Sequence, residues 1–216
     1  MRQALNDQER LHLDRRTAEA EERTGAQIVL AVIERCDAYP ELPWKAFALA
    51  AAVAGLSVSA VNLFRPGWAS GTEVLFPVAA TLAAGAAAAL LCVFLPKFGR
   101  LFLDAQRAEA EVRQYAESFF LSRELFATRG RTGLLVLVGL FERHVVVVPD
   151  TGLRERLKPE ALQGIVSQMA IALSSGRVAA ALEGGLAGIE EVLSVSAPDA
   201  PGEDELPDEV VEEKGR

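Results

Sequence analysis

Two long stretches of the sequence carry no charged residue, and they limit the possible folds more than any other feature. The first runs from Ala46 to Phe64, 19 residues, and the second from Leu75 to Pro96, 22 residues. As α-helices they would be about 29 and 33 Å long, close to the roughly 30 Å hydrocarbon core of a bilayer. Neither stretch has a polar stripe, which disfavours a buried hairpin in a water-soluble core. The sequence therefore predicts a transmembrane helical hairpin over residues 46–96.

Basic residues flank the predicted hairpin unevenly. Five of them lie on the outer flanks of the two spans and one lies in the connecting loop: Arg35, Lys45, Lys97, Arg100 and Arg107 against Arg65. Because short cytoplasmic segments carry the excess of Lys and Arg, both flanks are predicted to face the cytoplasm. The first 45 residues are highly charged, so neither span is a signal peptide.

Charge and cysteine content exclude several classes of protein. The net charge is −8, but the stretch from Ala197 onward accounts for −6 of it. The rest of the chain has a net charge of only −2, which argues against a nucleic-acid-binding domain. The two cysteines form no disulfide framework, and two Cys with two His are too few for a structural zinc site. The acidic, proline-containing segment 196–216 is predicted to be a disordered tail.

The rest of the chain has the pattern of one α/β domain that the hairpin interrupts, with parts at 1–45 and 97–195. Asn6 and Glu9 form a capping-box pattern and Gly25 a stop signal, which predicts a helix over 5–24. Apolar periodicity predicts the remaining elements: strands at 27–33, 133–140 and 144–148, and helices at 100–126, 159–173 and 178–193. Strands 27–33 and 133–140 must share a sheet, which requires an even number of spans between them.

Several short motifs occur in a fixed order along this domain. They are Thr24-Gly25-Ala26-Gln27-Ile28-Val29, Arg129-Gly130-Arg131-Thr132-Gly133-Leu134-Leu135, Leu140-Phe141-Glu142-Arg143 before Val145–Val148, Asp150-Thr151-Gly152-Leu153, and Glu205-Leu206-Pro207. In this order they resemble the TPM-domain family, in its bacterial membrane-bound form with an inserted two-helix hairpin. The resemblance implies an α/β/α sandwich around a small mixed β-sheet and a location in the bacterial inner membrane. It implies two kinds of function, because some plant members are described as acid phosphatases and others as assembly or repair factors.

Asp150 is the best candidate for a functional side chain. It ends a strand before Gly152, so its carboxylate would emerge at a sheet edge and could hold a divalent cation, Ca²⁺ or Mg²⁺. The simpler interpretation is that Asp150 accepts backbone N–H groups in its own turn. Asp37 follows the first strand and would lie at the opposite end of the sheet, which disfavours a shared metal site.

Four further residues are candidates for binding. Arg129 and Arg131 would lie near Asp150, where they either bind an anion or pair with the carboxylate. Glu142 and Arg143 lie in the turn between the second and third strands. The common nucleotide-binding and hydrolase motifs are absent from the sequence, and no nucleophile–base pair is evident.

Two functions follow as expectations. The first is a membrane-anchored interaction, assembly or quality-control factor, whose partners are the lipid bilayer and a membrane-embedded protein complex, without nucleic acid. The alternative is a weak metal-dependent phosphohydrolase of the acid-phosphatase type that uses Asp150. The sequence leaves the catalytic residues and the oligomeric state open.

Overall fold

The computed structural model describes residues 4–64, 72–194, 206 and 209–215, and the side chains of 62 and 72–74 are outside this description. Contacts divide the chain into two units, Met1–Asp37 with Gln106–Arg216, and Ala38–Ala105. The elements are, in chain order, α1 (Asp7–Thr24), β1 (Gln27–Arg35), α2 (Glu41–Phe64), α3 (Thr72–Phe94), α4 (Pro96–Gly99), α5 (Ala105–Ser122), β2 (Gly133–Gly139), β3 (His144–Pro149), α6 (Pro159–Ser174), α7 (Val178–Ser194) and β4 (Val211–Gly215). Short 3₁₀ turns lie at Arg100–Phe102 and Thr151–Leu153.

Helix α1 begins and ends where the sequence predicts. The Glu9 N–H donates to Asn6 Oδ1 at 2.8 Å, and the Asn6 N–H donates to Glu9 Oε2 at 2.9 Å, which completes the capping box. At the other end Gly25 adopts a left-handed conformation, φ 67°, and its N–H donates to Glu21 O at 2.8 Å. This tight stop turns the chain directly into β1.

The four strands form one open, mixed sheet in the order β3-β2-β1-β4. Strand β1 is parallel to both β2 and β4, whereas β2 and β3 form an antiparallel hairpin. In β1 the first seven residues are all buried, as expected for a central strand covered on both faces. The parallel pairing aligns Gln27 with Gly133 and Ile33 with Gly139.

Alternating side chains of β1 and β2 enter two separate hydrophobic clusters. One face of the sheet packs against α1, α6 and α7 in a cluster that includes Ile28, Leu30, Leu134 and Val136. The opposite face packs against α5 through Val29, Ala31, Leu135, Leu137, Val112 and Phe119. The α/β/α sandwich around a small mixed sheet is therefore confirmed.

The second unit contains the two apolar helices, α2 and α3, which contact each other. Both are long and apolar enough to cross a membrane. At Gly85 an added Cβ would lie 2.7 Å from Phe47 Cε2, so glycine allows the helices to approach closely there. At Gly55 the nearest neighbour is Thr81 Oγ1 at 4.0 Å, so that glycine is not required for contact. Most of the predicted connecting loop, residues 65–71, lies outside the described part of the chain.

The prediction of one long helix over 100–126 is wrong at both ends, since α5 covers only Ala105–Ser122. Leu103 is extended, with φ −77° and ψ 125°, and separates the 3₁₀ turn from α5. The C-terminal end closes because Glu124 adopts a left-handed φ of 53°, with hydrogen bonds from Glu124 N to Leu121 O and from Leu125 N to Phe120 O. This Schellman-type stop usually uses glycine. Glutamate at this position gives no sequence signal for the end of a helix.

The acidic tail predicted to be disordered contains a strand. Residues Val211–Gly215 form β4 and pair with β1, and Val210 is only 2% exposed. The composition of the tail favours disorder. Two kinds of contact with the domain offset this tendency: burial of the apolar Val210 and Val211, and ion pairs of Glu212 and Glu213. Residues 196–205, 207–208 and 216 of the predicted tail lie outside the described part.

Candidate functional site

The five candidate residues from the sequence lie at two different ends of the sheet. Arg129, Arg131 and Asp150 lie where β2 begins and β3 ends, whereas Glu142 and Arg143 lie in the turn between those strands. Strand β2 spans about 20 Å between these ends. The structure therefore assembles two separate groups of candidates, an Asp150 group and a Glu142 group.

Both carboxylate oxygens of Asp150 are engaged within the domain. Oδ1 accepts the Thr151 N–H at 2.7 Å, so Asp150 caps the 3₁₀ turn Thr151–Leu153. Oδ2 lies 2.9 Å from Arg131 Nε, a charge contact in which the N–H is not aligned for a hydrogen bond. The Asp150 side chain is 4% exposed and that of Arg131 is 51% exposed. The carboxylate thus faces the protein and the guanidinium faces solvent.

Backbone contacts fix the loop around Asp150. Gly152 donates its N–H to Arg131 O at 3.0 Å, and an added Cβ at Gly152 would lie 2.3 Å from Gly130 O. The glycine of the Asp-Thr-Gly motif is therefore required by close approach of two backbones. Arg129 is exposed on the same loop.

The Asp150 group has few ligands for a cation. Ca²⁺ binds six to eight oxygen ligands, and Mg²⁺ usually binds through one or two carboxylates with several waters. Among residues 4–64, 72–194, 206 and 209–215, no three His, Cys, Asp or Glu side chains cluster closely enough to hold a metal ion. Of the charged groups at this end of the sheet, Asp150 and Arg131 already pair with each other.

Glu142, at the opposite end, is buried and 8% exposed. Its Oε1 accepts the Cys36 N–H at 2.9 Å, which ties the β2–β3 turn to the end of β1. Its Oε2 is buried and has no hydrogen-bond partner in the described part of the chain. A Cβ added at Gly139 would lie 2.8 Å from Oε2, so glycine makes the room for this carboxylate. Arg143 is exposed in the turn, with a left-handed φ of 53°.

Cys36 is a feature of this end that the sequence analysis missed. Burial raises the pKa of the Cys36 thiol, and the charge of Glu142 and a hydrogen bond to that carboxylate raise the pKa further. The thiol therefore stays protonated at neutral pH, whereas a cysteine nucleophile requires a lowered pKa. Its position directly after the strand that pairs with β2 is the only sequence signal that could have placed it beside Glu142.

A small cleft of about 190 Å³ adjoins Cys36, between α5 and β4. Glu213 projects into it, accepting from Arg123 Nη2 at 2.6 Å and from Tyr115 Oη at 3.3 Å. This group could not be predicted from a sequence whose composition favours disorder over residues 196–216. At the same end Asp37 pairs with Arg107 at 3.4 Å, so it shares no site with Asp150.

The raised pKa of Cys36 predicts a specific loss of stability in alkaline solution. Above about pH 8.5 the unfolded thiol releases a proton that the folded thiol retains, so unfolding becomes more favourable as the pH rises. The wild type should lose about 1.4 kcal/mol for each further pH unit relative to Cys36→Ala. Denaturant unfolding of both chains between pH 7 and pH 10 measures this difference.

Two matched variants check the cause. Cys92→Ala keeps Cys36 and should retain the alkaline loss in full. Glu142→Gln keeps an acceptor for the Cys36 N–H but removes the charge, and the loss up to pH 10 should persist, because burial is the largest cause of the raised pKa and still keeps the folded thiol protonated. A constant difference between the wild type and Cys36→Ala across this pH range would contradict the assignment.

Comparisons with known proteins agree with this architecture. The NMR structure of the BA42 protein from the psychrophilic bacterium Bizionia argentinensis is similar with a TM-score of 0.58 and 12% identity, covering 98% of this chain and 97% of that one. At this identity the similarity concerns the fold alone. No curated protein matches the sequence.

A match to a family model indicates the protein family of the chain. The model of the TPM domain, the TPM phosphatase family, matches residues 83–192, just over half of the chain. The match begins within α3 and ends within α7, so it includes α5, β2, β3 and α6 and leaves out β1. On this match the chain belongs to the TPM-domain family.

Proposed function

We propose that the chain is a membrane-anchored TPM-domain protein that acts through contact with a membrane-embedded protein complex, as an interaction, assembly or quality-control factor. In this proposal the apolar hairpin lies in the bacterial inner membrane and the sheet domain works at the cytoplasmic surface. The observation that carries the proposal is the pair of apolar helices inserted between β1 and α5.

The side chains of α2 and α3 support a bilayer as their environment. Large apolar side chains along both helices are exposed, among them Leu56 at 72%, Phe64 at 82%, Phe76 at 72% and Phe94 at 74%. Transfer of such a side chain from water to an apolar phase is favourable by about 1.5–3 kcal/mol. Exposed apolar surfaces of this size mark contact with a membrane or another protein.

The charges around the hairpin support the proposed orientation. Lys45 lies in the first turns of α2, and Lys97 and Arg100 follow α3 directly. Cationic residues at these positions favour the cytoplasmic side of the membrane. Asp37 and Arg107, which lie just outside the inserted segment, pair with each other, so the segment leaves and re-enters the sheet domain at neighbouring points.

The two candidate carboxylates support a contact function over hydrolysis. Asp150 holds the Thr151 N–H and Arg131, and Glu142 holds the Cys36 N–H. Both carboxylates therefore stabilise turns of the sheet domain itself. The alternative of a metal-dependent phosphohydrolase rests on the family and on Asp150, and direct measurement separates the two functions.

The first test concerns the membrane anchor. The full chain should sediment with membranes and resist extraction at high salt and alkaline pH, because hydrophobic burial in lipid does not depend on charge. The matched variant replaces residues 38–105 with a short Gly/Ser linker between Asp37 and Gln106. It should be soluble without detergent and keep a cooperative melting transition. Recovery of the full chain in the soluble fraction would exclude the anchor.

The second test decides between contact and hydrolysis at Asp150. Asp150→Asn keeps an acceptor for the Thr151 N–H and should cost little, since its ion pair with a half-exposed arginine is worth about 1 kcal/mol or less. Asp150→Ala also removes the cap and should cost about 1 kcal/mol more. Thermal unfolding measures both effects.

The same samples test for metal binding and for phosphate release by hydrolysis. We expect Ca²⁺ and Mg²⁺ to leave the melting temperature of the wild type unchanged and phosphate release to stay at the level of Asp150→Asn. A metal-induced rise in melting temperature that Asp150→Asn abolishes, together with phosphate release, would favour the phosphohydrolase instead.

A further inference from the structure

The chain changes direction where α3 ends. A proline disfavours helical geometry at the residue before it, and Leu95, which precedes Pro96, is extended with φ −116° and ψ 95°. Pro96 then begins the short helix α4, and the 3₁₀ turn Arg100–Phe102 follows directly. An added Cβ at Gly99 would lie 3.0 Å from Cys92 O, so glycine lets α4 fold back against the last turns of α3.

The redirected segment lies across the end of the hairpin at which α2 begins. Both α4 and the 3₁₀ turn contact α2 within the second unit. Lys45 Nζ, in the first turns of α2, donates to Phe102 O at 3.4 Å. The rings of Phe98 and Phe102 pack edge to face with their centroids 5.5 Å apart, which holds α4 and the turn together. We call residues 95–102 the base segment.

Large apolar side chains and cations alternate along the base segment. Leu101 is 76% exposed, and its neighbour across the hairpin end, Trp44 of α2, is 73% exposed. Lys97 is exposed on the same segment. In water the exposed leucine and tryptophan are unfavourable, whereas the headgroup layer of a membrane accommodates apolar, indole and cationic side chains together. The composition of the base segment therefore fits the boundary between lipid headgroups and acyl chains.

Two lysines at this end of the hairpin are available for lipid phosphates. Two acids, Glu41 and Asp104, lie nearby, and both already interact with other groups of the chain, as does Arg100. Lys97 is exposed. An ammonium group has three donors, so Lys45 keeps donors beyond its one backbone bond. Anionic phospholipids complement these two cations.

We propose that the base segment lies in the headgroup layer of the cytoplasmic leaflet and binds anionic phospholipids through Lys45 and Lys97. Leu101 and Trp44 reach the boundary of the acyl chains, and the lysines extend their ammonium groups to the phosphates. This inference rests on the proposed membrane anchor and adds the class of lipid that the anchor selects. The competing occupant of the same surface is a protein, which the experiments below distinguish.

Trp44 reports which lipids lie next to the base segment. The chain has two tryptophans, so Trp68→Phe leaves Trp44 as the single fluorophore. The full chain is reconstituted into vesicles of equal parts phosphatidylcholine and phosphatidylglycerol, with bromine, a contact quencher of tryptophan, on one lipid at a time. Brominated phosphatidylglycerol should quench Trp44 more strongly, with a relative affinity of about fivefold or more, the ratio expected for one cation at a membrane surface.

Matched charge variants locate the preference. Lys45→Gln with Lys97→Gln should reduce the relative affinity for phosphatidylglycerol to about twofold or less. Lys158→Gln with Arg177→Gln removes the same charge from two exposed positions of the sheet domain and should keep the preference of the parent chain. An equal reduction in both double variants would assign the preference to the net charge of the protein and overturn the proposal.

A tryptophan in the base segment tests its location independently of charge. Leu101→Trp, in a chain with Trp44→Phe and Trp68→Phe, should be quenched more by bromine near the headgroup than by bromine at the chain ends. The matched control is Leu11→Trp in the same background, because Leu11 is 66% exposed on α1 of the sheet domain. Lipid quenching at position 101 no stronger than at position 11 would show water or a protein on the base segment and overturn the proposal.

The vesicles also separate this inference from the proposed function. A chain that floats with the vesicles but shows equal quenching of Trp44 by both lipids would overturn the lipid preference and leave the membrane anchor intact. A chain that does not float with the vesicles would overturn the anchor and, with it, the role of the base segment.

Discussion

The sheet domain depends on the backbone pairing of β1 with strands that follow it far along the chain. Strand β1 pairs with β2 on one edge and with β4 on the other, and its side chains enter both hydrophobic clusters. The pairing continues beyond β2, because Leu140 and Phe141 donate their N–H groups to Ile33 O and Glu34 O at 2.9 and 3.0 Å. This extension brings Glu142 over the Cys36 N–H. The position of the buried carboxylate thus follows from the register of two parallel strands.

That pairing also constrains the apolar insertion. The family match begins within α3, yet β1 precedes the insertion. In the proposed membrane anchoring, a segment between β1 and β2 has to return the chain to the same side of the bilayer, and two spanning helices would meet that condition. The ion pair between Asp37 and Arg107 is consistent with the same constraint, because it joins the chain on either side of the insertion. The apolar helices are therefore inserted between β1 and α5, outside the strands of the sheet.

Local patterns in the sequence were sufficient for most of the fold. The capping box of α1, the largely apolar strands and the periodic helices α6 and α7 depend on near neighbours, so their positions could be predicted. The end of α5 could not be predicted, because Glu124 takes the left-handed position that glycine usually occupies at the end of a helix. Strand β4 was missed because composition favours disorder, and its partners Arg10 and Arg123 are distant in sequence. The contact between Cys36 and Glu142 was missed because the two residues are distant in sequence and meet only through the register of β1 with β2.

Native-state hydrogen exchange with peptide-level readout tests the central role of β1 most directly. If β1 holds the sheet domain together, the amides of Gln27–Arg35 and Gly133–Gly139 should share the same free energy of opening, equal to that of global unfolding. Both segments should also lose protection at the same denaturant concentration. Rapid exchange across Gln27–Arg35 while Gly133–Gly139 and α7 stay protected would contradict this account, since the sheet would then stand without its central strand.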